Sequence, residues 1–187
     1  MSKVGFIGVG TMGCPMASNI ISKGNDLKFY DPYVHDENKS KLENLGAQYC
    51  TSIKDLLDDS EFVITMLPNG NNVKDVCMGE DGLLKQDKKD YIHIDMSTIL
   101  PADSIAINKQ FESHNIKMFD APVARLVNNA IDGTLLIMVG GSLDGFSKIE
   151  EILKCMGSDV VYCGPIGSGS KMKIINNYMA IVSNKRA

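Results

Sequence analysis

The chain has 187 residues, 44% of them hydrophobic and 22% charged, with a net charge of −4; this is ordinary globular composition, long enough for one domain with its own core. The acidic balance argues against a nucleic-acid partner, which selects a basic footprint, and no apolar run reaches the length that spans a bilayer, so neither nucleic acid nor membrane is expected as a partner. Five cysteines, at positions 14, 50, 77, 155 and 163, are odd in number and lack C-x-x-C spacing, so reduced thiols in a cytoplasmic protein are expected rather than disulfides or a metal site.

Lys3–Gly8 is a short apolar run that opens into glycines, as a buried parallel strand does. Met12, Met16, Ala17, Ile20 and Ile21 then fall on one helical face. Pro15 sits in the first turn, where a missing N–H costs little, and Gly24 is placed to end the helix. A second strand is expected at Leu27–Asp31, stopped by Pro32, followed by a helix over Lys39–Leu45, a short strand at Ala47–Cys50 and a helix over Ile53–Asp58. A strand at Glu61–Leu67 ends at Pro68, and a helix follows over Val73–Met78. Strands at Tyr91–Asp95 and Ile116–Asp120 bracket a helix at Pro101–Ser113. Thr134–Val139 reads as a strand, Phe146–Met156 as an amphipathic helix, Val160–Cys163 as a short strand and Ser170–Lys185 as a last helix. Strands separated by helices predict βαβ units, hence an α/β fold with a doubly wound, mostly parallel sheet. The one candidate boundary is the glycine-rich break from Gly164 to Gly169.

Gly8-Val9-Gly10-Thr11-Met12-Gly13 matches G-x-G-x-x-G between a strand and a helix, the context that makes it a Rossmann-type fingerprint for NAD(H). The first glycine permits the tight turn, the second lets the backbone approach a pyrophosphate, and the third lets helix and strand pack closely. Amides at the helix N-terminus then face the phosphates. Asp31 ends the second strand, where an acid accepts hydrogen bonds from the ribose hydroxyls and repels a 2′-phosphate. No arginine follows it, so NAD(H) is preferred over NADP(H), although His35 could assist a phosphate. An S-adenosylmethionine methyltransferase also carries a glycine loop and an acid after its second strand, and the loop alone does not separate the two.

Four further segments do. They are Met66-Leu67-Pro68; Asp95-Met96-Ser97-Thr98; Asp120-Ala121-Pro122-Val123 with Gly133-Thr134-Leu135; and Gly164-x-x-Gly167-x-Gly169-x-x-x-Lys173-x-x-Asn176-Asn177. In this order and spacing they resemble the β-hydroxyacid dehydrogenase family, which includes 3-hydroxyisobutyrate dehydrogenase, tartronate semialdehyde reductase and, more distantly, 6-phosphogluconate dehydrogenase. The resemblance implies an NAD-dependent oxidoreductase. It places Leu67, Pro68 and Asn72 near the nicotinamide half of the cofactor, with Thr98 in contact too, and makes Ser97 a candidate substrate contact. Lys173 becomes the catalytic acid/base, with Asn176 and Asn177 on its helical face, the second of them holding substrate and lysine. Reduction of an aldehyde develops negative charge on its oxygen, which an ammonium stabilises and then protonates. In the oxidising direction the same lysine must act as a base, which calls for a lowered pKa.

Family members continue into an all-helical domain that closes the site and builds the dimer. The resemblance therefore divides the chain into 1–164, an NAD-binding domain, and 165–187, a hinge and the first part of an interdomain helix. Homo-oligomers are expected at full length, and this chain is expected to turn over weakly or not at all. The family's usual Ser-Gly-Gly after Asp-Ala-Pro-Val is replaced by Ala124-Arg125-Leu126. Arg125 is one of only two arginines, the other being Arg186, and a guanidinium fork can grip an oxyanion. With Asn129-Ala130-Ile131 this pattern resembles the 3-sulfolactaldehyde reductase branch, with Arg125 on the sulfonate. Carboxylate aldehydes, a tartronate semialdehyde reductase or 3-hydroxyisobutyrate dehydrogenase activity, and an NAD(H)-binding module without catalysis stay open as alternatives.

Overall fold

The computed structural model describes residues 1–184. Lys185, the expected last residue of the final helix, and Arg186 lie outside them. The elements run β1 (Lys3–Ile7), α1 (Gly13–Ser22), β2 (Asp26–Tyr30), α2 (Asp36–Asn44), β3 (Gln48–Tyr49), α3 (Ile53–Leu57), β4 (Phe62–Thr65), α4 (Gly70–Met78) and β5 (Ile92–Asp95). They continue with α5 (Pro101–Ser113), β6 (Lys117–Asp120), β7 (Val123–Ala124), α6 (Val127–Ile131), β8 (Leu135–Gly140), α7 (Leu143–Lys154), β9 (Gly157–Gly164) and α8 (Ser168–Asn184).

One sheet holds every strand, in the order β3-β2-β1-β4-β5-β6-β8-β7, with β9 also paired to β8. Strands β1 to β6 are parallel, whereas β8 runs antiparallel to β6 and β7. The chain winds from β1 outward to β2 and β3, then returns to the other side of β1 as β4. The crevice above the carboxyl ends of β1 and β4 is thus the topological switch point, where ligands bind in open α/β sheets.

Alternation along each buried strand feeds two cores. In β4, Val63 joins one and Ile64 the other; in β6, Met118 and Phe119 divide in the same way. One core gathers Met16, Ala17 and Ile20 of α1 with Ile149, Ile152 and Leu153 of α7. The other gathers Leu56, Val73, Cys77, Ile107 and Phe111 from α3, α4 and α5. All five cysteines are unpaired. No helix among the described residues is long and apolar enough to cross a membrane.

The structure adds three elements to those expected, one of them a single 3-10 turn at Leu83–Lys85. Strand β7 has two residues and no period to read, and α6 is a five-residue turn set by a local bond, the Leu126 N–H donating to Asn129 Oδ1 at 3.2 Å. Helix α2 starts at Asp36, before the expected Lys39, because Asp36 and Glu37 suit the positive end of a helix while offering no apolar stripe. Helix α4 starts at Gly70 because the Asn69 side chain accepts from the amides of Asn71 and Asn72.

Candidate functional site

Strand register builds the site. Ile7 pairs with Thr65, Thr65 with Asp95 and Asp95 with Asp120, so four strand ends form one row across the sheet. Each strand then leaves into a loop at the same edge: Gly8–Met12, Met66–Asn69, Met96–Leu100 and Ala121–Pro122. The segments singled out in the sequence are neighbours for this reason.

A cleft of about 620 Å³ opens at the switch point. Gly8, Val9, Gly10, Thr11, Met12, Gly13, Asp31, Leu67, Pro68 and Asn72 all line it, joined by His35. The three glycines play different parts. Gly8 has φ +92°, and a Cβ there would strike the Met66 carbonyl. A Cβ on Gly13 would strike the Gly8 carbonyl, so helix and strand ride directly on each other. Gly10 is exposed, and nothing lies within 4 Å of a Cβ built on it. Among the described residues, no protein acceptor takes the amide hydrogens of Gly10, Thr11, Met12 or Gly13. Free donors at a helix start, beside open space, fit a dinucleotide pyrophosphate.

The half-buried Asp31 carboxylate accepts from the Val9 and Tyr33 amides, each at 2.9 Å. It therefore braces the glycine loop as well as lining the cleft. Asn38, which sequence reasoning missed, donates from Nδ2 to the Val9 carbonyl at 2.8 Å. It lies one residue ahead of the expected helix start at Lys39 and inside the observed α2.

Beneath the loops lies a buried polar network. Thr65 Oγ1 donates to Asp95 Oδ1 at 2.8 Å and sits 3.1 Å from His93 Nε2. The Ser97 amide donates to the same Asp95 oxygen at 3.2 Å, and Ser97 Oγ accepts from the Leu67 amide at 2.9 Å. Ser97 is thus buried and ties the β4 and β5 loops together, while Thr98 beside it is exposed and outside the cleft lining. His93 stacks on Phe111 with ring centroids 4.6 Å apart. Asp95 Oδ2 and His93 Nδ1 have no hydrogen-bond partner among the described residues. Burial pushes the Asp95 carboxyl up to about 6 and the His93 imidazole down to about 3.

Helix α8 packs against β8, β9 and α5. Lys173 and Asn176 share its half-buried side and Asn177 is exposed. Burial lowers the pKa of Lys173 from the ordinary lysine value, the direction that acid/base work requires. Arg125 lies past β7 at φ +84°. Its NH1 group donates to Ser158 Oγ at 3.0 Å and to the Thr134 carbonyl, and its NH2 group pairs with Asp159 at 2.6 Å. The fork is therefore engaged by β9 and by the residue that precedes β8, and Arg125 is outside the cleft lining.

Residues 3–164 match the family model described as the NAD binding domain of 6-phosphogluconate dehydrogenase. The chain belongs to this family. It is 40% identical to 3-sulfolactaldehyde reductase of Escherichia coli over 184 residues, 98% of this chain and 61% of the relative. It is 42% identical to the mitochondrial 3-hydroxyisobutyrate dehydrogenase of Homo sapiens over 180 residues, 96% of this chain and 53% of the relative. The structure of Mycobacterium tuberculosis 3-hydroxyisobutyrate dehydrogenase with L-serine superposes with a TM-score of 0.89 at 30% identity, covering 96% of this chain and 60% of that one. The chain thus spans little more than half the length of these relatives, all named as dehydrogenases or reductases. The family's nucleotide-binding domain accounts for the glycine loop, Asp31 and the cleft, and the match stops at Gly164, just before α8.

Proposed function

We propose that this chain is the NAD(H)-binding part of a reductase for a small anionic aldehyde, with 1–164 as the cofactor domain and 165–187 as hinge and interdomain helix. One observation carries the reading: the row of strand ends sets the glycine loop, the Leu67-Pro68 loop and the Ser97-Thr98 loop on the edge where α8 begins. Gly8–Gly13 would hold the pyrophosphate, Asp31 the ribose, and Leu67, Pro68, Asn72 and Thr98 the nicotinamide half. When bound, the nicotinamide supplies the hydride. Lys173 stabilises the negative charge that develops on the aldehyde oxygen and gives it a proton, and Asn177 holds substrate and lysine together. Three carboxylates, Asp31, Asp75 and Asp81, line the cleft with no lysine or arginine among its lining residues, which supports NAD(H) over NADP(H).

The preferred substrate is 3-sulfolactaldehyde, reduced to 2,3-dihydroxypropane-1-sulfonate, with Arg125 gripping the sulfonate through donors left free by Asp159. A second reading, a carboxylate aldehyde of the 3-hydroxyisobutyrate or tartronate semialdehyde kind, draws on the pairing of Arg125 with Asp159. It also draws on the L-serine, a small 3-hydroxy acid, in the M. tuberculosis relative. The test is a titration with NADH and NADPH, then NADH oxidation with each aldehyde in a chain extended to the relatives' full length. NADH is expected to bind at least tenfold tighter than NADPH. Arg125→Ala is expected to raise KM for sulfolactaldehyde at least tenfold and to leave the carboxylate aldehydes near wild type. An unchanged KM would move the assignment to the carboxylate reading, and no binding of either nucleotide would end both.

A further inference from the structure

The Asp120-Ala121-Pro122-Val123 segment has no part in the cleft, yet its first residue is built into the base of α8. Asp120 is 1% exposed. Its Oδ1 accepts from the Gly167 amide and its Oδ2 from the Ser170 amide, both at 2.7 Å. Short bonds to a carboxylate from two amides at a helix start are roughly twice as strong as neutral ones and suit the positive end of the helix. Helix α8 has no acid in its own first turn, so the strand supplies one.

The surroundings hold the same contact. A Cβ on Gly140 would fall against Asp120 Oδ1, and one on Gly169 against the Met138 carbonyl and the Asp120 backbone. Ser104 of α5 meets Ser170 with the hydroxyl oxygens 3.1 Å apart, both side chains buried. Lys173 stands three residues beyond Ser170, less than one turn from the clamp. A rotation or slip of α8 at its start would therefore move the ammonium relative to the strand ends.

We infer that Asp120 is a positioning residue: by gripping the Gly167 and Ser170 amides it fixes the rotation and height of α8, and so places Lys173 over the carboxyl end of the sheet. The inference rests on the reading of Lys173 as proton donor. An asparagine at 120 offers one acceptor where two are needed. Gly169→Ala pushes the helix off its seat on the Met138 carbonyl and on Asp120 without removing the carboxylate.

The experiment compares wild type, Asp120→Asn and Gly169→Ala, each carried in a chain of the relatives' full length, in NADH affinity, in kcat and KM for the anionic aldehyde, and in amide hydrogen exchange. Both variants are expected to bind NADH within twofold of wild type and to lose ten- to a hundredfold in kcat with KM little changed. Exchange is expected to rise along α8 ahead of β1, β4 and β5. A purely structural role would instead weaken NADH binding and raise exchange across the sheet in step with kcat, and that result would overturn the inference. So would a kcat within twofold of wild type in either variant. A wild-type protein of its relatives' full length that binds NADH and turns over none of the aldehydes would remove the proton-donor reading itself, and this assignment with it.

Discussion

Arg125 shows how far one side chain can be at odds with its backbone. It occupies the place of the first glycine of the family's usual Ser-Gly-Gly, and it keeps a glycine's conformation, φ +84°. A left-handed geometry costs a residue with a Cβ about 1–2 kcal/mol. The guanidinium is held by Asp159, Ser158 and the Thr134 carbonyl, but the pair is 38% and 50% exposed and screened by solvent. Arg125→Ala and Arg125→Gly lose these contacts equally and differ only in the backbone. Glycine removes the strain and pays about 0.5–1 kcal/mol in the unfolded chain. Arg125→Gly is therefore expected to be more stable than Arg125→Ala, by about 0.5–1 kcal/mol in urea unfolding. The opposite order would mean that the loop relaxes out of the left-handed region once the arginine is gone.

At the scale of an element, β5 carries two buried titratable groups whose effects on stability oppose each other. Asp95 is raised to about 6 in the fold, so between about pH 4 and 6 the folded chain keeps a proton that the unfolded chain has lost. By itself it makes stability fall as pH rises through that window. His93 is lowered to about 3, so over the same window the unfolded chain holds a proton that the folded chain lacks. By itself it makes stability rise with pH. Each slope is about 1.4 kcal/mol per pH unit, and the two nearly cancel from pH 4 to 6. Asp95→Asn should expose the histidine's slope, its stability climbing relative to wild type as pH goes from 4 to 6. His93→Gln should expose the aspartate's, falling over the same range. Urea midpoints taken every half unit of pH measure this, and parallel profiles for all three proteins would sink the compensation. None of this was legible in the sequence, because Thr65, His93 and Asp95 meet only through the β4–β5 register.

For the whole molecule, what the sequence disclosed was set by distance along the chain. The strand-loop-helix unit around Gly8–Gly13 and the alternation of β and α needed only neighbours, and both appear in the structure close to their expected bounds. The use of Asp120 at Gly167 and Ser170, 47 and 50 residues away, and of Arg125 at Asp159, 34 residues away, needed the fold. The same division separates stability from binding within the glycine loop. A Cβ on Gly13 collides with the Gly8 carbonyl, whereas one on Gly10 meets nothing and asks for no left-handed backbone. Gly13→Ala should therefore lower the melting temperature whether or not nucleotide is present. Gly10→Ala should melt within about a degree of wild type without ligand, because its cost appears only when a pyrophosphate needs that space. At a hundred times Kd, NADH adds about 2.7 kcal/mol to the wild type, a rise of about 5–10 °C for a chain of this size. In Gly10→Ala that rise should shrink to a degree or two at the same concentration. A full NADH shift in Gly10→Ala would place the phosphates elsewhere, since Gly10 is the one glycine of the three whose side the protein leaves open.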